Sequence, residues 1–453
     1  MQSETVCAAA TSPLNSAIAV IRISGFDLKD TAGSYFTNSR FIDHRKSVFG
    51  SFIDDGSVVD DVLLTYFKSP NSYTGEDVIE ISCHGNFLIV QKILKALQKK
   101  GIRMAEPGEF TKRAFINGKM DLTEAEAVNK VINSRSDWEI RTSLKQMHGS
   151  LKNIIADIRE NIIELKADVE CGIDFLEEDI EFISKPDAVK KISIISDNLE
   201  DLLRRCVTGE RLSHGINVGI VGKPNVGKSS ILNLILNTER AIVSNIPGTT
   251  RDVIKETIQI GGIHVNLIDT AGIHDSNDKI ERIGIDRSLQ TIKDSFVVLA
   301  VFDCSENFDE KDEKILENII NKNCIFILNK YDKKNNDVIK LLSEKTGSRG
   351  AAIEFSAISG HGMKVLEKNI QDIIIKNFEG YQDGFIADIR VIGLLEKSIS
   401  NCRSIINVLE NEEPVEIIAF EIQQLINTIL EITGDISPDD ILESVFSRFC
   451  IGK

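Results

Sequence analysis

The sequence lacks any apolar run close to the roughly 18 residues that a membrane-spanning helix needs. Its first residues have neither the basic start nor the long apolar stretch of a secretory signal, so we expect a cytoplasmic protein. The eight cysteines form no C-x-x-C pair, which suits a reducing compartment and predicts that most are buried as small hydrophobic side chains. Basic residues are in the minority, with 53 Lys and Arg against 69 Asp and Glu and a net charge of −16. Such acidity disfavours a broad nucleic-acid surface, so an RNA substrate would need a local patch or a partner protein.

What the sequence does contain is enough globular chain for two or three domains, since it has 453 residues, 42% of them apolar and 27% charged. Residues 1–118 alternate short strands and turns with one helix, which predicts a small α+β domain. We expect strands over 17–25, 61–67 and 78–85, and the helix over about 87–99.

From Leu122 the pattern becomes helical. Apolar residues recur every three or four positions and predict a long amphipathic helix at Leu151, Ile154, Ile155, Ile158, Ile162, Leu165 and Val169. A second helix is expected over about 188–205, and helices resume towards the end of the chain. We therefore predict a discontinuous helical-bundle domain over 119–214 and 377–453. A Ras-like P-loop domain with a mostly parallel, doubly wound sheet is expected to be inserted into it over 215–376.

Residues 222–230, GKPNVGKSS, follow the apolar run 216–221 and precede an apolar helix. The pattern G-x-x-x-x-G-K-[ST] between a strand and a helix is typical of a loop whose backbone N–H groups surround a phosphate. Lys228 is expected to reach the β- and γ-phosphates, and Ser229 to offer its hydroxyl to Mg²⁺. The predicted contacts of this loop are Asn225, Val226, Gly227, Lys228, Ser229 and Ser230.

Three further signatures, DTAG at 269–272, NKYD at 329–332 and SAI at 356–358, follow in order, each after an apolar run. DTAG predicts a carboxylate that holds Mg²⁺ through water and an N–H that meets the γ-phosphate. NKYD and SAI predict acceptors and an N–H for the guanine edge, which adenine does not match, so GTP is the expected nucleotide. The predicted contacts are Asp269, Thr270, Ala271, Gly272, Asn329, Lys330, Asp332, Ser356, Ala357 and Ile358.

The switch regions indicate an unusual catalytic group. GTTRD at 248–252 lies between the P-loop helix and the next strand, and Thr250 is the predicted Mg²⁺ ligand there. Ile273 follows DTAG, and isoleucine cannot orient the attacking water as the glutamine of Ras-like enzymes does. Glu281 is a candidate for the catalytic carboxylate, but without knowledge of a family a solvated loop charge is its default interpretation. Asn225 has two interpretations: its amide binds a cation such as K⁺, or it only shapes the turn.

At this point the chain resembles the MnmE (TrmE) family of tRNA-modification GTPases over its full length. Three stretches outside the GTPase segment carry the resemblance: SYTGEDVIEISCHG at 72–85, PGEFTKRAFINGKMDLTEAEAV at 107–128 and FCIGK at 449–453. Era- and Der-type GTPases share the P-loop and GTTRD but none of these three. The resemblance implies GTP hydrolysis that drives addition of a carboxymethylaminomethyl-type group at C5 of the wobble uridine of certain tRNAs. It also implies a partner, MnmG, that uses FAD.

The resemblance implies that the N-terminal domain binds a tetrahydrofolate derivative, 5-formyl- or 5,10-methylene-tetrahydrofolate, as the one-carbon donor. It also implies that this domain forms a homodimer, and that the GTPase domains meet across their nucleotide sites when K⁺ and a transition-state-like nucleotide are bound. The family's folate contacts fall on Arg22, Glu80, Lys119 and Lys453. Arg and Lys suit the carboxylates of a folate tail, and Glu suits the donor edge of a pterin ring.

The resemblance places the family's catalytic glutamate on Glu281 and its Mg²⁺ ligands on Ser229 and Thr250. The family's K⁺ ligands fall on Asn225, Ser244, Ile246 and Thr249. The loop that would wrap this ion and contact the nucleotide comprises Ser244, Asn245, Ile246, Pro247, Gly248, Thr249 and Thr250.

Cys450 has two interpretations of equal weight. The resemblance places it beside the one-carbon site with a direct role in tRNA modification, whereas buried packing is the alternative. CIGK is not a prenylation box, since it ends in Lys and has no basic run before it.

The chain departs from the family in three places. Residues 12–17 replace a glycine-rich turn, Ser244 replaces a threonine, and His274 stands where an arginine is frequent.

Two alternative functions remain at this point. A ribosome-assembly or RNA-binding factor would use the GTP state without chemistry on RNA, but such GTPases carry a second GTPase domain or a basic KH-type module, and neither is recognisable here. The other alternative is a GTPase whose folate site has decayed, which the altered turn over residues 12–17 suggests.

Overall fold

The computed structural model describes residues 4–174, 183–238, 255–269, 289–320, 322–346, 351–378, 384–411 and 413–453. Its strands are β1 (Val6–Ala9), β2 (Ile18–Gly25), β3 (Ser47–Asp54), β4 (Ser57–Phe67), β5 (Asp77–His84), β6 (Arg103–Met104), β7 (Ile216–Gly222), β8 (Lys255–Ile260), β9 (Ile263–Asp269), β10 (Val297–Asp303), β11 (Asn323–Asn329) and β12 (Ala351–Glu354).

The helices that we number are α1 (Leu28–Ala32), α2 (Phe87–Lys99), α3 (Glu109–Ile116), α4 (Leu122–Asn133), α5 (Asp137–Met147), α6 (Ser150–Asp174), α7 (Lys185–Ser213), α8 (Lys228–Thr238), α9 (Glu310–Asn318), α10 (Asn336–Thr346), α11 (Met363–Asn377), α12 (Ile389–Glu410), α13 (Val415–Thr433) and α14 (Asp439–Phe446). Residues 289–294 are also helical. Within the described residues, no helix is both long and apolar enough to cross a bilayer.

The chain divides into two compact units. The first contains the described residues of Met1–Asn129, Gln146–Ser196 and Lys397–Lys453, and the second contains those of Lys130–Lys145 and Asp197–Glu396. Segments of the predicted helical domain therefore occur in both units. The domain boundaries drawn from the sequence stay a prediction.

The first unit is built around a six-stranded sheet in the order β3-β4-β5-β2-β1-β6, antiparallel except for the β1–β6 pair. Helix α2 covers this sheet with Ile93, Leu94 and Leu97, as its amphipathic pattern predicts, and the Asn86 side chain caps its first turn by accepting from the Leu88 N–H. The prediction of an α+β domain is confirmed.

The prediction of a single helix in this domain is wrong, because α1 and α3 are also present. Both are short, at five and eight residues, too short for an apolar repeat to stand out in the sequence. Strand β3 also escaped prediction. It contains Gly50, where an added Cβ would lie 2.8 Å from the Phe36 ring. The Phe36 ring therefore packs directly on the backbone, and the strand lacks an apolar side chain at this position of its alternating pattern.

The helical part of the first unit pairs α6 with α13. The spacing that predicted the long helix is confirmed, since its buried positions are Leu151, Ile155, Ile158, Ile162, Leu165 and Val169. Helix α7 exists as predicted but is longer at both ends, spanning 29 residues.

The second unit contains a six-stranded sheet in the order β12-β11-β10-β7-β9-β8, parallel except for the β8–β9 hairpin. Strand β10 is buried along its whole length, as expected for a central parallel strand with helices on both faces. This is the mostly parallel P-loop fold that the sequence predicts. It brings the carboxyl ends of β7, β10, β11 and β12 to one edge, where ligands bind in such sheets.

Candidate functional site

The loop between β7 and α8 has the geometry of a phosphate cradle. Asn225 and Gly227 have left-handed backbones, with φ of 64° and 100°. A Cβ at Gly227 would lie 2.2 Å from the Asn329 Nδ2, so only glycine fits this position. Ser229 and Ser230 are exposed in the first turn of α8, where the N–H groups of a helix start favour an anion.

Lys228 is held across the mouth of this loop. Its Nζ donates to the backbone oxygens of Gly222, at 2.9 Å, and Lys223, at 2.7 Å. Carbonyl oxygens hold an ammonium group weakly compared with a phosphate. Lys228 is therefore positioned to exchange these contacts for phosphate oxygens.

Asn329 joins the phosphate loop to the loop that would hold a base. Its Nδ2 donates to the Val226 backbone oxygen at 2.7 Å, and its Oδ1 accepts from the Ala357 N–H at 3.2 Å. The side chain is buried, with 2% exposure, so both hydrogen bonds are shielded from water. One amide thereby fixes the distance between the GKPNVGKSS and SAI signatures.

Lys330 and Asp332 follow β11 at the same edge. Lys330 has a left-handed backbone, with φ of 58°, and its Nζ lies 2.5 Å from the Asp303 Oδ2 at the end of β10. Burial raises the pKa of the Asp303 carboxyl, but hydrogen bonds from Lys330 and Ser305 outweigh it and hold that pKa below its usual range. Asp303 is thus an ionised anchor for Lys330.

Asp332 is held by the neighbouring signature. The Ser356 hydroxyl donates to the Asp332 Oδ1 at 2.8 Å, which leaves the second carboxylate oxygen for a ligand. Ile358 is 85% exposed and follows Ala357, so the end of this loop is open to solvent. The predicted base contacts Asn329, Lys330, Asp332, Ser356 and Ala357 are therefore brought together at the ends of two neighbouring strands, β11 and β12.

Several predicted site residues lie outside the described residues: Ser244, Asn245, Ile246, Pro247, Gly248, Thr249, Thr250, Thr270, Ala271, Gly272 and Glu281. Asp269 ends β9, where its backbone pairs with Ile220 of β7 beside the phosphate loop. Its place at the strand end agrees with the position that the DTAG signature predicts.

Sequence reasoning missed one support of the phosphate loop, Lys223. Its Nζ lies 2.7 Å from the Asp312 Oδ2 and 3.1 Å from the Asp309 Oδ2, at the start of α9. Asp312 is 3% exposed, and burial raises its pKa. The only sequence signal was a lysine inside the P-loop, whose partner lies 89 residues later and has no motif of its own.

A second cluster forms in the first unit around Arg22. Strands β2 and β5 pair Arg22 directly opposite Glu80, and the Arg22 Nη2 lies 2.8 Å from the Glu80 Oε1. The Arg22 guanidinium also lies over the rings of Tyr73, 5.3 Å, and Phe110, 5.6 Å, from their centroids. Its Nη1 donates to the Gly452 backbone oxygen at 3.4 Å, which brings the last residues of the chain to this site.

Three of the four predicted folate contacts therefore come together: Arg22, Glu80 and Lys453. Burial lowers the pKa of the Lys453 ammonium, and the charge of Arg22 adds to the effect. Lys119 is placed differently, since its Nζ donates to the Pro70 backbone oxygen at 3.0 Å.

Cys450 is exposed, whereas the other cysteines whose side chains are described are buried. For example, burial raises the pKa of the Cys206 thiol to about 12. The packing interpretation of Cys450 therefore loses its basis. Its backbone oxygen lies 3.5 Å from the Gly108 N–H, so the FCIGK and PGEFTKRAF stretches are adjacent.

A buried network that the sequence did not reveal supports the second cluster. Arg113 donates to Glu76 and to Glu109, both at 2.8 Å, and Glu76 also accepts from Ser24 at 2.8 Å. The side chains of Arg113 and Glu76 are 8% and 5% exposed. This ion pair joins the SYTGEDV and PGEFTKRAF stretches, which explains why both carry charged residues.

Comparison with known proteins shows the family of the chain. The family model described as "MnmE helical domain" matches residues 122–450, and "GTP-binding protein TrmE N-terminus" matches residues 5–119. The protein named tRNA modification GTPase MnmE in Thermotoga maritima is 41% identical over 99% of this chain and 100% of its own length. The protein of the same name in Aquifex aeolicus is 39% identical, with the same coverage of both chains.

A solved G domain of the T. maritima iron transporter FeoB is 26% identical over 35% of this chain and 99% of its own. Its TM-score of 0.27 is too low to support a structural conclusion. The full-length matches confirm the resemblance inferred from the N-terminal, junction and C-terminal stretches. The chain belongs to the MnmE (TrmE) family of tRNA modification GTPases.

Proposed function

We propose that this chain hydrolyses GTP to drive tRNA modification. With an MnmG-type partner that uses FAD, it adds a carboxymethylaminomethyl-type group at C5 of the wobble uridine, and a tetrahydrofolate derivative supplies the one-carbon unit. Family membership supports the coarse activity, and the two sites described above support the division of labour.

The Asn329 amide carries the guanine-nucleotide part of this proposal. It links the phosphate loop to the SAI loop through two hydrogen bonds, so the phosphate and base halves of the site have a fixed separation. Asp332, held by Ser356, presents a carboxylate that accepts from guanine N1 and N2. A carboxylate in this place disfavours adenine, which lacks both donors.

The residues at the phosphate loop fit two metal ions. Ser229 is exposed at the start of α8 and, with Thr250, would hold Mg²⁺. Asn225 is exposed on a left-handed backbone, so its amide oxygen is open to K⁺, with Ser244, Ile246 and Thr249 as further ligands. K⁺ would supply the positive charge that an arginine finger supplies in other GTPases. Glu281 would orient the attacking water.

The Arg22 cluster fits an anionic ligand. It contains two basic side chains, those of Arg22 and Lys453, which suit the carboxylates of a folate tail. The exposed Cys450 lies on the same tail and would act in the modification itself. In this proposal the N-terminal domain forms the homodimer and the GTPase domains pair when K⁺ is bound.

The nucleotide assignment is tested with Asp332→Asn. Xanthine carries an oxygen where guanine has N2, so an amide donor should accept it in place of the carboxylate. We expect the variant to lose GTP affinity by about 100-fold or more and to gain XTP binding. Ser229→Ala is the matched control, since it should lower the rate with Mg²⁺ without changing the base preference. Unchanged GTP preference in Asp332→Asn would contradict the assignment.

The catalytic assignment is tested by hydrolysis rates in K⁺ and in Na⁺, with Glu281→Ala alongside. We expect a sharp loss of turnover in Na⁺, and near-abolition in Glu281→Ala with GTP affinity close to wild type. Equal rates in the two salts would remove Asn225 from the mechanism.

The tRNA assignment is tested by mass spectrometry of wobble uridines from cells that lack this chain. Loss of the C5 modification, restored by wild type but not by Arg22→Ala or Cys450→Ser, is the expected result. If the wobble uridines keep their C5 modification in every strain, including the strain that lacks this chain, a GTP-gated role in ribosome assembly would be supported instead.

A further inference from the structure

The start of helix α5 and the residues just before it form hydrogen bonds with the β8–β9 hairpin. The hairpin turns through Gly261 and Gly262, both with left-handed backbones, at φ of 60° and 79°. The Trp138 N–H donates to the Gly262 backbone oxygen at 3.0 Å. Gln259 Nε2 donates to the Arg135 backbone oxygen at 2.8 Å. One hydrogen bond from β8 and one from the turn of the hairpin therefore involve Arg135 and Trp138, which lie in the segment 135–139 that we call the clamp.

The clamp is more than a surface contact, because Trp138 enters the core of the sheet. It is 4% exposed and belongs to the same apolar cluster as Ile258, Ile260, Ile263 and Val265 of the hairpin. The clamp is itself braced, since the Arg135 N–H donates to the Glu139 Oε2 at 2.5 Å. A Cβ at Gly261 would lie 2.7 Å from Gln371 of α11, so the turn is confined on a second side.

The position of the hairpin in the sheet decides what the clamp controls. β8 is the edge strand of the order β12-β11-β10-β7-β9-β8, and its only sheet neighbour in the described part of the chain is β9. The base contacts follow β11 and β12, and the phosphate loop follows β7. By sequence, β8 begins directly after residues 239–254, which include Thr250, and β9 ends directly before residues 270–288, which include Glu281.

We propose that Trp138, supported by the Gln259–Arg135 hydrogen bond, is a positioning residue for GTP hydrolysis. The clamp fixes the hairpin from which both switch segments depart, and so aligns the groups that act on the γ-phosphate and the attacking water. It does not act on the base or β-phosphate contacts, which depart from other strands. This inference rests on the proposed GTPase function and extends it to a residue of the helical segment.

The full-length protein with Gln259→Ala tests the proposal without opening a cavity in the core. Loss of one hydrogen bond at the clamp should lower kcat for GTP hydrolysis in K⁺ by about 2- to 10-fold, while the Kd for GDP stays within about twofold of wild type. Trp138→Phe, which keeps an apolar ring but has a smaller one, should lower kcat further with the same unchanged Kd. Gln290→Ala is the matched control, since Gln290 bonds only to Asp294 on its own helical segment among the contacts described, and it should leave kcat unchanged.

Trp138 is the only tryptophan of the chain, so its fluorescence reports on the clamp directly. In Gln259→Ala its emission maximum should shift to the red as water reaches the ring. An unchanged kcat in both variants would overturn the proposal, as would a parallel loss of kcat and GDP affinity, which marks a general structural defect. A wild-type chain without GTPase activity would instead contradict the proposed function, and the two failures are therefore distinguishable.

Discussion

The nucleotide site and the Arg22 cluster are assembled in opposite ways. The base and phosphate contacts each follow a strand of one parallel sheet, so topology alone collects them at the carboxyl edge. The Arg22 cluster joins β2 and β5 to the last residues of the chain, and its Arg22–Gly452 hydrogen bond spans 430 positions. The first site depends on a local signature at each strand end, whereas the second depends on where a terminal segment docks.

That docking depends on two glycines. A Cβ at Gly452 would lie 2.3 Å from the Ala9 backbone oxygen, and one at Gly108 would lie 2.5 Å from the Phe446 backbone oxygen. Both glycines have positive φ, 97° and 69°. The tail therefore reaches Arg22 only because its backbone passes other backbones at distances that no side chain permits.

We expect the largest effect from a substitution that removes the buried Arg113–Glu76 ion pair beneath the Arg22 cluster. Arg113→Met removes the ion pair between Arg113 and the buried Glu76 carboxylate, which costs about 3–5 kcal/mol. The N-terminal sheet should lose that much stability, measured by urea-dependent hydrogen exchange of β2 and β5 amides. The strands of the parallel sheet should exchange as in wild type.

Two further variants sharpen the same measurement. Glu76→Gln combined with Arg113→Met also removes the buried negative charge and should recover much of the stability that Arg113→Met loses. Lys46→Met breaks an exposed ion pair with Asp43 and should change nothing, because solvent screens that pair. Equal losses in Lys46→Met and Arg113→Met would show that the burial of the pair is irrelevant.

The second effect concerns Asn329, whose side chain links the phosphate loop to the SAI loop in the nucleotide site. Asn329→Ala removes both hydrogen bonds and leaves the Ala357 N–H and the Val226 oxygen unpaired, at a cost of about 2–3 kcal/mol. GTP and GDP affinity, measured by calorimetry, should fall by about 30- to 150-fold. Binding of a tetrahydrofolate derivative at the proposed Arg22 site should not change, since Arg22 lies in the other unit. A matching loss of folate affinity would contradict the independence of the two sites.

These two sites also show what the sequence reveals and why. GKPNVGKSS, NKYD and SAI are local signatures, so each can be recognised within a few residues. The parallel sheet then brings the three segments together, because each of them follows a strand that ends at the same edge. Lys223 with Asp312, and Arg113 with Glu76, were not predictable, because each pair joins residues far apart with no spacing rule. The resemblance to a family supplied Arg22, Glu80 and Lys453, which composition and periodicity alone did not distinguish from ordinary surface charges. The clamp was hidden for a third reason: a helical segment near residue 138 packs with a sheet that starts 78 residues later in sequence.

The third effect tests the docking of the tail. Gly452→Ala combines a strained backbone, worth about 1–3 kcal/mol, with the close approach to Ala9. We expect affinity for the tetrahydrofolate derivative to fall about tenfold, with GTP affinity unchanged. Gly101→Ala is the matched control, because Gly101 also has positive φ, 82°, but has no atom within 4 Å of an added Cβ. If both variants bind folate equally, the tail is not part of that site.

The smallest expected effect is a pH dependence at the hairpin. Burial lowers the pKa of His264 on β9 to about 4, with a contribution from the charge of Arg135, and its ring nitrogens have no hydrogen-bond partner among the described residues. As pH falls below 6.5, the unfolded chain takes up a proton that the folded site refuses, so this group removes stability between about pH 6.5 and 4. Burial raises the pKa of Glu139 in the clamp, and that group acts in the opposite direction, removing stability as pH rises above its ordinary pKa of 4.5.

The two slopes oppose each other in the window that begins at pH 4.5, so the wild-type profile should be shallower there than either group alone would make it. His264→Gln removes one of them, and hydrogen exchange of β8 and β9 should then show stability that decreases as pH rises through this window. His148→Gln changes an exposed histidine outside the hairpin and should keep the wild-type profile. Identical profiles for His264→Gln and wild type would mean that His264 is hydrated in solution. In that case the clamp would not be closed around the hairpin in the way that the burial of Trp138 requires.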